Sequence, residues 1–393
     1  MTNHGDTIRP PRVKLATSWV YPHVGGVSSH MSLLARQLGL ADHEVISANH
    51  ATAGKSAPLT RVRNGLRRLA AKSFNLETIS LHARGLMPAF ASLECDIVHC
   101  HDVMAAWAAL KAREASGRSF KVIATLHGPI SNVMVEEGHA PDSPDVCMVR
   151  RCELETWRRC DALIAVDTLQ GEIAVEQGAD PAQITTIPNA VDVEEVNRLA
   201  TTLPLAKKEG ECWILVPRRM APKNGIEMAI RALPLMKKAP RLVIAGNGPE
   251  RDNLEQLAHQ LGVAAQVVFL GGLSHTVLMP LMGLCDMVTV PSIPIHGIEE
   301  ATSISAIEGM ALSRPVVATA IGGLRELILS EENGILVPPK DPGALAEAYD
   351  RVLADPELGR RLGAAAKQTV IERFSVDLWF GRHLTVYSNT VGR

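Results

Sequence analysis

The chain has 393 residues, of which 46% are hydrophobic and 21% are charged, so it is long enough for two globular domains of similar size. Its formal net charge of −2 argues against a nucleic-acid partner. The polar start MTNHGDTIRPPR is unlike a secretory signal, and the longest apolar run contains Asp286 and three prolines, so no membrane span is expected.

Short apolar runs alternate with helical patterns along the chain, which indicates parallel sheets with crossover helices. In the first half we predict five strands, and a helix that begins after Gly25-Gly26 and ends at Gly39. The predicted strands are Val13–Ala16, Glu44–Ser47, Asp96–His99, Val122–Leu126 and Ala162–Val166.

The second half continues the alternation with the apolar runs WILVP, RLVIAG, VVFLG, MVTVP, PVVAT and GILVP. Helices are predicted near residues 225–237, 250–261, 301–311 and 342–354. The polar stretch NRLATTLPLAKKEGEC separates the halves, which predicts a first domain of residues 1–205 and a second of residues 206–375. Each half is typical of a doubly wound α/β domain, and a ligand cleft is expected at the carboxyl ends of the strands. The amphipathic segment 376–393 predicts a final helix.

Three junctions between a strand and a helix have features of anion sites. Gly25 and Gly26 precede the first helix, and Gly246 and Gly248 follow the strand RLVIA. A third junction, VPRRMAPKNG, contains Arg218, Arg219, Lys223 and Asn224. Helix N-termini attract anions, glycine lets a phosphate approach the backbone, and arginine adds bidentate charge. For each turn alone, a tight connection in an α/β sheet is the favoured explanation.

The stretch EATSISAIEGMA holds two carboxylates, Glu300 and Glu308, between two predicted strands. We predict a crossover helix from Ala301, with Glu300 at its N-terminus and Glu308 about two turns further on the same side. The two carboxylates would then hold different parts of one long polar ligand, and the first amides of the helix would face the same cleft. The alternative is a helix-end charge and a solvated face residue, although the apolar neighbours of Glu308 fit a solvated face poorly.

This stretch, followed by GMALSRPVVATAIGGLRELI, resembles the signature of retaining glycosyltransferase family 4, which has the GT-B fold. YPHVGGVSSHMSLLARQL is similar to the family's opening glycine loop, and DIVHCHDVMAAWAAL and VIATLHG to its next two strands. RRMAPKNGIEMAIRAL and LVIAGNGPERDNLEQLA resemble the start of its donor domain, so the resemblance covers almost the whole chain. It implies an α/β protein with two doubly wound, Rossmann-like domains facing across a cleft, and a final helix that crosses back to the first domain.

The resemblance implies a retaining, metal-independent transferase that moves a sugar from a nucleoside diphosphate sugar, with a UDP-sugar favoured, to a hydroxyl acceptor. Glu308 would accept hydrogen bonds from the ribose, and Glu300 would hold hydroxyls of the transferred sugar. Arg219 and a nearby lysine would neutralise the leaving diphosphate in place of a metal ion. His127 would line the reaction centre. The amides that would reach the sugar and the diphosphate are those around Thr302, Ser303 and Ile304.

The cationic junction departs from the family pattern, in which an arginine and a lysine stand five positions apart and a glycine follows the lysine. Counting back from the glycine of PKNG puts Asn224 at the lysine position and Arg219 at the arginine position. Lys223 is one place early, or it pairs with Arg218 at the usual spacing. The residue that contacts the diphosphate is therefore left open between these cations.

Two further segments bear on the substrates. Thr302 and Ser303 replace the phenylalanine and glycine that usually follow the first glutamate, which favours a subgroup with its own donor. Gly25 and Gly26 would let the acceptor-side loop close on the donor. The acceptor would be a small molecule, a glycan or a lipid-linked molecule. The basic segment 59–72, LTRVRNGLRRLAAK, would contact an anionic membrane surface or a phosphorylated acceptor, or form a solvated basic helix.

Histidines and cysteines leave weaker signals. His99, His101 and Asp102 could form a metal or base site, but a structural or ligand-binding role explains them as well, and we expect no metal. Seven cysteines without a CxxC pair favour reduced thiols and a cytoplasmic protein, with peripheral contact at the inner membrane face as an addition.

Other functions compatible with the sequence are a phosphorylase or a sugar-nucleotide epimerase on the same fold, and a non-catalytic nucleotide-sugar binding protein. A nicotinamide-dependent oxidoreductase would also have two Rossmann-like domains. The segment GNGPER lacks the third glycine of the dinucleotide fingerprint, which argues against that class.

Overall fold

The computed structural model describes residues 11–22, 25–49, 76–136, 138–202, 207–296 and 298–392, and the basic segment 59–72 lies outside them. The chain divides into two compact units, one of Met1–Ile187 with Phe380–Arg393 and the other of Pro188–Trp379. The sequence predicts a boundary between residues 205 and 206, whereas this division falls after residue 187. The reason is the helix Val193–Ala200, because its Val196 and Leu199 are buried in a hydrophobic cluster of the second unit.

The described part of the first unit contains a parallel sheet with the strand order β1-β2-β3-β4-β5. Its strands are β1 (Val13–Ala16), β2 (Ile97–Cys100), β3 (Lys121–Leu126), β4 (Ala162–Ala165) and β5 (Ile184–Thr186). Its helices are α1 (Gly26–Gln37), α2 (Leu76–Ala91), α3 (Val103–Ser116), α4 (Ile130–Glu136), α5 (Pro144–Arg159) and α6 (Thr168–Glu176). The strands β2 and β3 are buried almost throughout, as expected for a parallel sheet with helices on both faces.

The predicted strand Glu44–Ser47 is wrong. Residues Asp42–Glu44 form a short 3₁₀ turn, in which the Ala41 N–H donates to the Glu44 carboxylate at 2.9 Å. Only Ile46 then pairs with the sheet, through a single parallel bridge to Ala16. The local hydrogen bond competes with strand pairing at the start of this segment.

The second unit has a six-stranded parallel sheet with the order β11-β10-β9-β6-β7-β8. Its strands are β6 (Trp213–Val216), β7 (Arg241–Ala245), β8 (Val267–Gly271), β9 (Met287–Val290), β10 (Val316–Thr319) and β11 (Ile335–Val337). Its helices are α7 (Val193–Ala200), α8 (Ile226–Ala232), α9 (Arg251–Gln260), α10 (His275–Leu284), α11 (Ile304–Ala311), α12 (Gly322–Leu327), α13 (Pro342–Ala354) and α14 (Pro356–Arg373). The six predicted strands of this half are confirmed.

The strand order places a topological switch point between β6 and β9. From β6 the chain continues outward through β7 and β8, and from β9 it continues in the opposite direction through β10 and β11. In open α/β sheets, ligands bind at the carboxyl ends of the strands at such a point. Hydrophobic clusters on the two faces of the sheet hold it rigid beneath that edge.

The last helix, α15 (Val376–Val391), begins at the end of the second unit, and its residues from Phe380 onward belong to the first. Its Tyr387 is fully buried, and the hydroxyl lies 2.8 Å from Nδ1 of His99 on β2. Among the described residues, none of the helices has the length and apolarity needed to span a bilayer.

Candidate active site

Polar side chains follow the carboxyl ends of four neighbouring strands in the second unit. Arg218 follows β6, Asn247 follows β7, His275 begins the helix after β8, and Ser292 follows β9. The carboxyl ends of parallel strands meet at one edge of a sheet, so these residues share the edge at which the switch point lies. This edge is the candidate site of the second unit.

Arg218 forms the centre of a buried polar group, here called the Arg218 cluster, with Asn224, Ser292, Glu300 and Ser303. Its Nη2 donates to Oε2 of Glu300 at 2.7 Å and to Oγ of Ser292 at 3.3 Å. Its Nη1 donates to Oγ of Ser303 at 3.0 Å, and Nη2 also donates to Oδ1 of Asn224. The side chains of Arg218 and Glu300 are only 10% and 15% exposed. The buried Nε of Arg218 has no hydrogen-bond partner within the described ranges, which leaves one N–H of the guanidinium unsatisfied.

The cations beside Arg218 are placed differently from the family pattern. Arg219 is exposed, and its carbonyl oxygen accepts a hydrogen bond from Nδ2 of Asn224 at 2.6 Å. Asn224 is 4% exposed and bridges this carbonyl and the Arg218 guanidinium. Lys223 is partly exposed, and its carbonyl accepts from the Ile293 N–H at 2.9 Å. The side-chain amide of Asn224, at the expected lysine position, therefore orients Arg218. Arg219, which the family resemblance assigns to the diphosphate, lies outside the cluster.

Gly246 and Gly248 lie directly beneath this cluster. A Cβ atom on Gly246 would stand 2.0 Å from the carbonyl oxygen of Arg218, and one on Gly248 would stand 2.0 Å from that of Met220. The Met220 N–H donates to the carbonyl of Asn247 at 2.9 Å, which joins the two loops. The glycines are thus explained by close packing of the loop after β7 against the loop that carries Arg218.

Glu300 lies in a loop rather than at the start of a helix. The predicted helix from residue 301 begins instead at Ile304, with Ser303 as its N-cap. The Ser303 hydroxyl makes no capping bond to the first-turn amides of α11, since it faces the guanidinium. The Gly323 N–H at the start of α12 donates to the Glu300 carbonyl at 3.0 Å, so this carbonyl is bonded outside α11.

Thr302 and Ser303, which replace the family's phenylalanine and glycine, are both buried, at 6% and 2% exposed. The Thr302 carbonyl accepts from Nδ2 of Asn189 at 2.9 Å, within the second unit. The Asn189–Thr302 bond and the Arg218–Ser303 bond hold the backbone between Glu300 and α11 beside the guanidinium.

Glu308 lies on α11 and is 6% exposed, which excludes a solvated helix face. Its Oε1 is 2.9 Å from Nε2 of His275, whose side chain is 44% exposed. His275 is not among the site residues predicted from the sequence. Its position directly after the carboxyl end of β8 is the signal that could have found it.

Five histidines, here called the histidine cluster, lie together in the first unit: His30, His99, His101, His127 and His383. Nδ1 of His101 lies 3.3 Å from Nε2 of His127. Both ring nitrogens of His99 are hydrogen-bonded, Nδ1 to the Tyr387 hydroxyl at 2.8 Å and Nε2 to the Thr125 hydroxyl at 2.7 Å. Burial, and then the neighbouring imidazoles, hold the pKa of His99 and of His101 well below the usual value. The pKa of His127 is lowered for the same reasons, so these rings are neutral at pH 7.

The predicted trio of His99, His101 and Asp102 does not share a metal site. The Asp102 carboxylate accepts from the Thr17 hydroxyl at 2.8 Å and from the Ser18 N–H at 2.6 Å. Its second oxygen caps α3. Asp102 is therefore a structural residue that joins β1 to α3.

The glycine pair of the first unit stands at the start of α1. Gly25 is the N-cap with φ +154°, a value that favours glycine, and Gly26 is the first helical residue. The same helix carries His30, so the predicted glycine loop and the histidine cluster share one element.

Comparisons with known proteins agree with this architecture. Residues 24–195 match the model of Glycosyltransferase Family 4, and residues 203–369 match that of Glycosyl transferases group 1. A glycosyltransferase of Methanocaldococcus jannaschii, MJ1607, described as uncharacterized, is 31% identical over 387 residues, which cover 92% of this chain and 94% of the relative. A glycogen synthase of Mycobacterium tuberculosis is 29% identical over 402 residues, covering 92% and 90%. The crystal structure of Anabaena Alr3699/HepE in complex with UDP-glucose has a TM-score of 0.73 at 18% identity, covering 96% of this chain and 100% of that one.

Two parallel sheets with crossover helices, together with these structural neighbours, define the GT-B fold. The chain belongs to the family 4 glycosyltransferases, and it is therefore a glycosyltransferase by class.

Proposed function

We propose that the protein transfers a sugar from a nucleoside diphosphate sugar, with a UDP-sugar as the favoured donor, to a hydroxyl acceptor. In this proposal the anomeric configuration is retained and no metal ion takes part in the transfer. The observation that carries the proposal is the Arg218 cluster, a largely buried guanidinium with one unsatisfied N–H at the switch point of the sheet. The UDP-glucose in the similar Alr3699/HepE structure supports the choice of donor.

The donor is assigned to the second unit. Arg218 and the first-turn amides of α11 bind the diphosphate, where a positive charge lies beside amides that the N-cap side chain does not bond. Glu308 accepts hydrogen bonds from the ribose, and Glu300 holds hydroxyls of the transferred sugar. Glu300 is ion-paired to Arg218 at 2.7 Å. The residue proposed to hold the sugar and the residue proposed to bind the diphosphate therefore position each other.

The proposed sugar transfer needs no nucleophile from the enzyme. The acceptor hydroxyl oxygen bonds to the anomeric carbon, and the bond from that carbon to the phosphate oxygen breaks with its electrons on the leaving diphosphate. The acceptor proton passes to the departing phosphate oxygen, which gives a glycoside and a nucleoside diphosphate. Arg218 stabilises the charge that develops on the diphosphate, the role that a divalent ion has in metal-dependent enzymes.

The acceptor is assigned to the first unit, at the carboxyl edge where His127 and the Gly25-Gly26 pair lie. His127 is partly exposed, whereas the other four members of the histidine cluster are buried. It is thus the member of the cluster that a hydroxyl acceptor can reach.

A screen of nucleotide sugars with mass detection tests the reaction. We expect consumption of a UDP-sugar with release of UDP, in chelator as well as in buffer, and a product whose anomeric configuration matches the donor by NMR. Phosphate-dependent cleavage of a disaccharide would instead indicate a phosphorylase. Conversion of the donor into another nucleotide sugar would indicate an epimerase.

Two substitutions test the carboxylate roles. Glu308→Ala should weaken nucleotide binding, because the ribose loses its acceptor, and Glu300→Ala should mainly lower the rate of transfer. Glu347→Ala, on the exposed face of α13, is the matched control. Unchanged donor affinity and turnover in both site variants would contradict the assignments.

A further inference from the structure

Three members of the histidine cluster offer a set of metal ligands. Ring nitrogens of His30, His101 and His127 all lie within 4.8 Å of one another. The rings come from three separate elements: α1, the turn after β2 and the turn after β3. The sheet and α1 place these nitrogens together even though the residues are distant in sequence.

We propose that His30, His101 and His127 bind a borderline transition-metal ion such as Zn²⁺. In a tetrahedral zinc site with Zn–N bonds of 2.0–2.1 Å, two ligand nitrogens stand about 3.4 Å apart. Nδ1 of His101 and Nε2 of His127 lie 3.3 Å apart, which matches one edge of that tetrahedron. It is also at the long end for a hydrogen bond between two neutral imidazoles.

The third ligand requires only a small adjustment. The His30 ring lies edge-on to the other two, with centroids 4.7 Å from His127 and 5.2 Å from His101. All three nitrogens lie within 4.8 Å of one another, so no separation exceeds the tetrahedral edge by more than about 1.4 Å. A rotation of one side chain within its well covers that distance.

The surroundings favour a metal over a carboxylate-bonded structural network. Nδ1 of the buried His101 faces Nε2 of His127, so the nitrogen assigned to the ion lies inside the cluster. The nearest carboxylate in sequence, that of Asp102, is used by the backbone and by Thr17. Neutral imidazole is a common zinc ligand, and three histidines leave a fourth position open. The partial exposure of His127 gives the ion and a water molecule a path to that position.

The metal site shares His127 with the proposed acceptor side, but it is distinct from the proposed diphosphate site, where Arg218 rather than a metal neutralises the charge. A bound ion would hold the His127 ring in one orientation and stabilise the folded first unit by mass action. Binding is measured without substrate, so the result does not depend on the proposed function.

Isothermal titration of the chelator-stripped full chain with Zn²⁺, and elemental analysis after dialysis, test the proposal. We expect about one equivalent, a rise in the unfolding temperature with Zn²⁺, and the visible absorption of tetrahedral coordination when Co²⁺ replaces Zn²⁺. His101→Gln and His30→Gln should each lose that equivalent, whereas His259→Gln, an exposed histidine on α9, should keep it.

Each outcome decides the proposal. No stoichiometric binding to the wild-type chain overturns it, and so does an equivalent that persists in both cluster variants. Circular dichroism shows whether each variant is folded. If one of them is not, the other variant and the Co²⁺ spectrum of the wild-type chain decide, since octahedral Co²⁺ would also be a contrary result.

Discussion

Replacement of Arg218 by alanine tests the centre of the proposed donor site. The substitution removes a guanidinium that donates to four side chains and leaves Glu300, which is 15% exposed, without its cation. A hydrogen bond to a charged group contributes about 1.5–3 kcal/mol. Loss of one such bond to the diphosphate therefore weakens UDP binding by about 10- to 100-fold, since about 1.4 kcal/mol is a factor of ten.

The same variant carries a stability cost that has to be separated from binding. Removing one partner of a buried ion pair costs about 3–5 kcal/mol, and the remaining exposure of Glu300 places the expected cost near the lower value. Adding Glu300→Gln removes the unpaired charge. We expect the double variant to regain much of the free energy of unfolding while UDP affinity stays low.

Titration calorimetry with UDP and urea unfolding followed by circular dichroism measure the two effects. Arg219→Ala is the matched control, because Arg219 is the adjacent residue of the same type and its side chain is exposed. The UDP affinity of Arg219→Ala should stay within about twofold of the wild type. That change is much smaller than the loss of about tenfold or more expected for Arg218→Ala. Wild-type affinity in Arg218→Ala with a loss in Arg219→Ala would refute the choice of cation. Recovery of UDP affinity in the double variant would show that the loss came from the unpaired carboxylate.

Three further substitutions test separate features. Gly248→Ala should destabilise the protein by about 3 kcal/mol, since its Cβ would stand 2.0 Å from a carbonyl oxygen, whereas Gly381→Ala meets nothing within 4 Å and should not; equal unfolding midpoints would contradict this. His275→Ala removes the 2.9 Å contact to the α11 carboxylate and should weaken UDP binding about fivefold, for a hydrogen bond of about 1 kcal/mol, and tighter binding would show that the histidine competes with the ribose. Burial raises the pKa of Glu153 from 4.5 to about 7, so the folded state keeps a proton that the unfolded state loses, and stability from this group falls as pH rises from 4.5 to 7. Glu153→Gln should remove that slope and gain about 3 kcal/mol relative to the wild type across the window in urea unfolding, and a difference independent of pH would count against it.

The fold class and most of the strands follow from the amino-acid sequence without the structure. Strands such as those in WILVP and MVTVP are buried on both faces, so they appear in the sequence as continuous apolar runs. Such runs are recognisable without the structure. The carboxylate pair and the cationic turn were also visible, because each is a short local pattern. The strand prediction for Glu44–Ser47 is wrong because the hydrogen bond from the Ala41 N–H to the Glu44 carboxylate holds the start of this segment in a short turn.

The side-chain contacts of the candidate sites, in contrast, follow from the tertiary structure. Arg218 and Glu300 are 82 positions apart, and nothing local to either residue selects Arg218 over Arg219. The selection depends on the direction of the backbone after β6, which the absent Cβ atoms of Gly246 and Gly248 permit. In the same way, the pairing of His275 with Glu308 and the gathering of the histidine cluster follow from parallel strands ending at a common edge. The pattern of residues in one segment indicates which of its side chains are buried. A site, in contrast, is formed by segments that are distant in sequence and that the fold brings into contact.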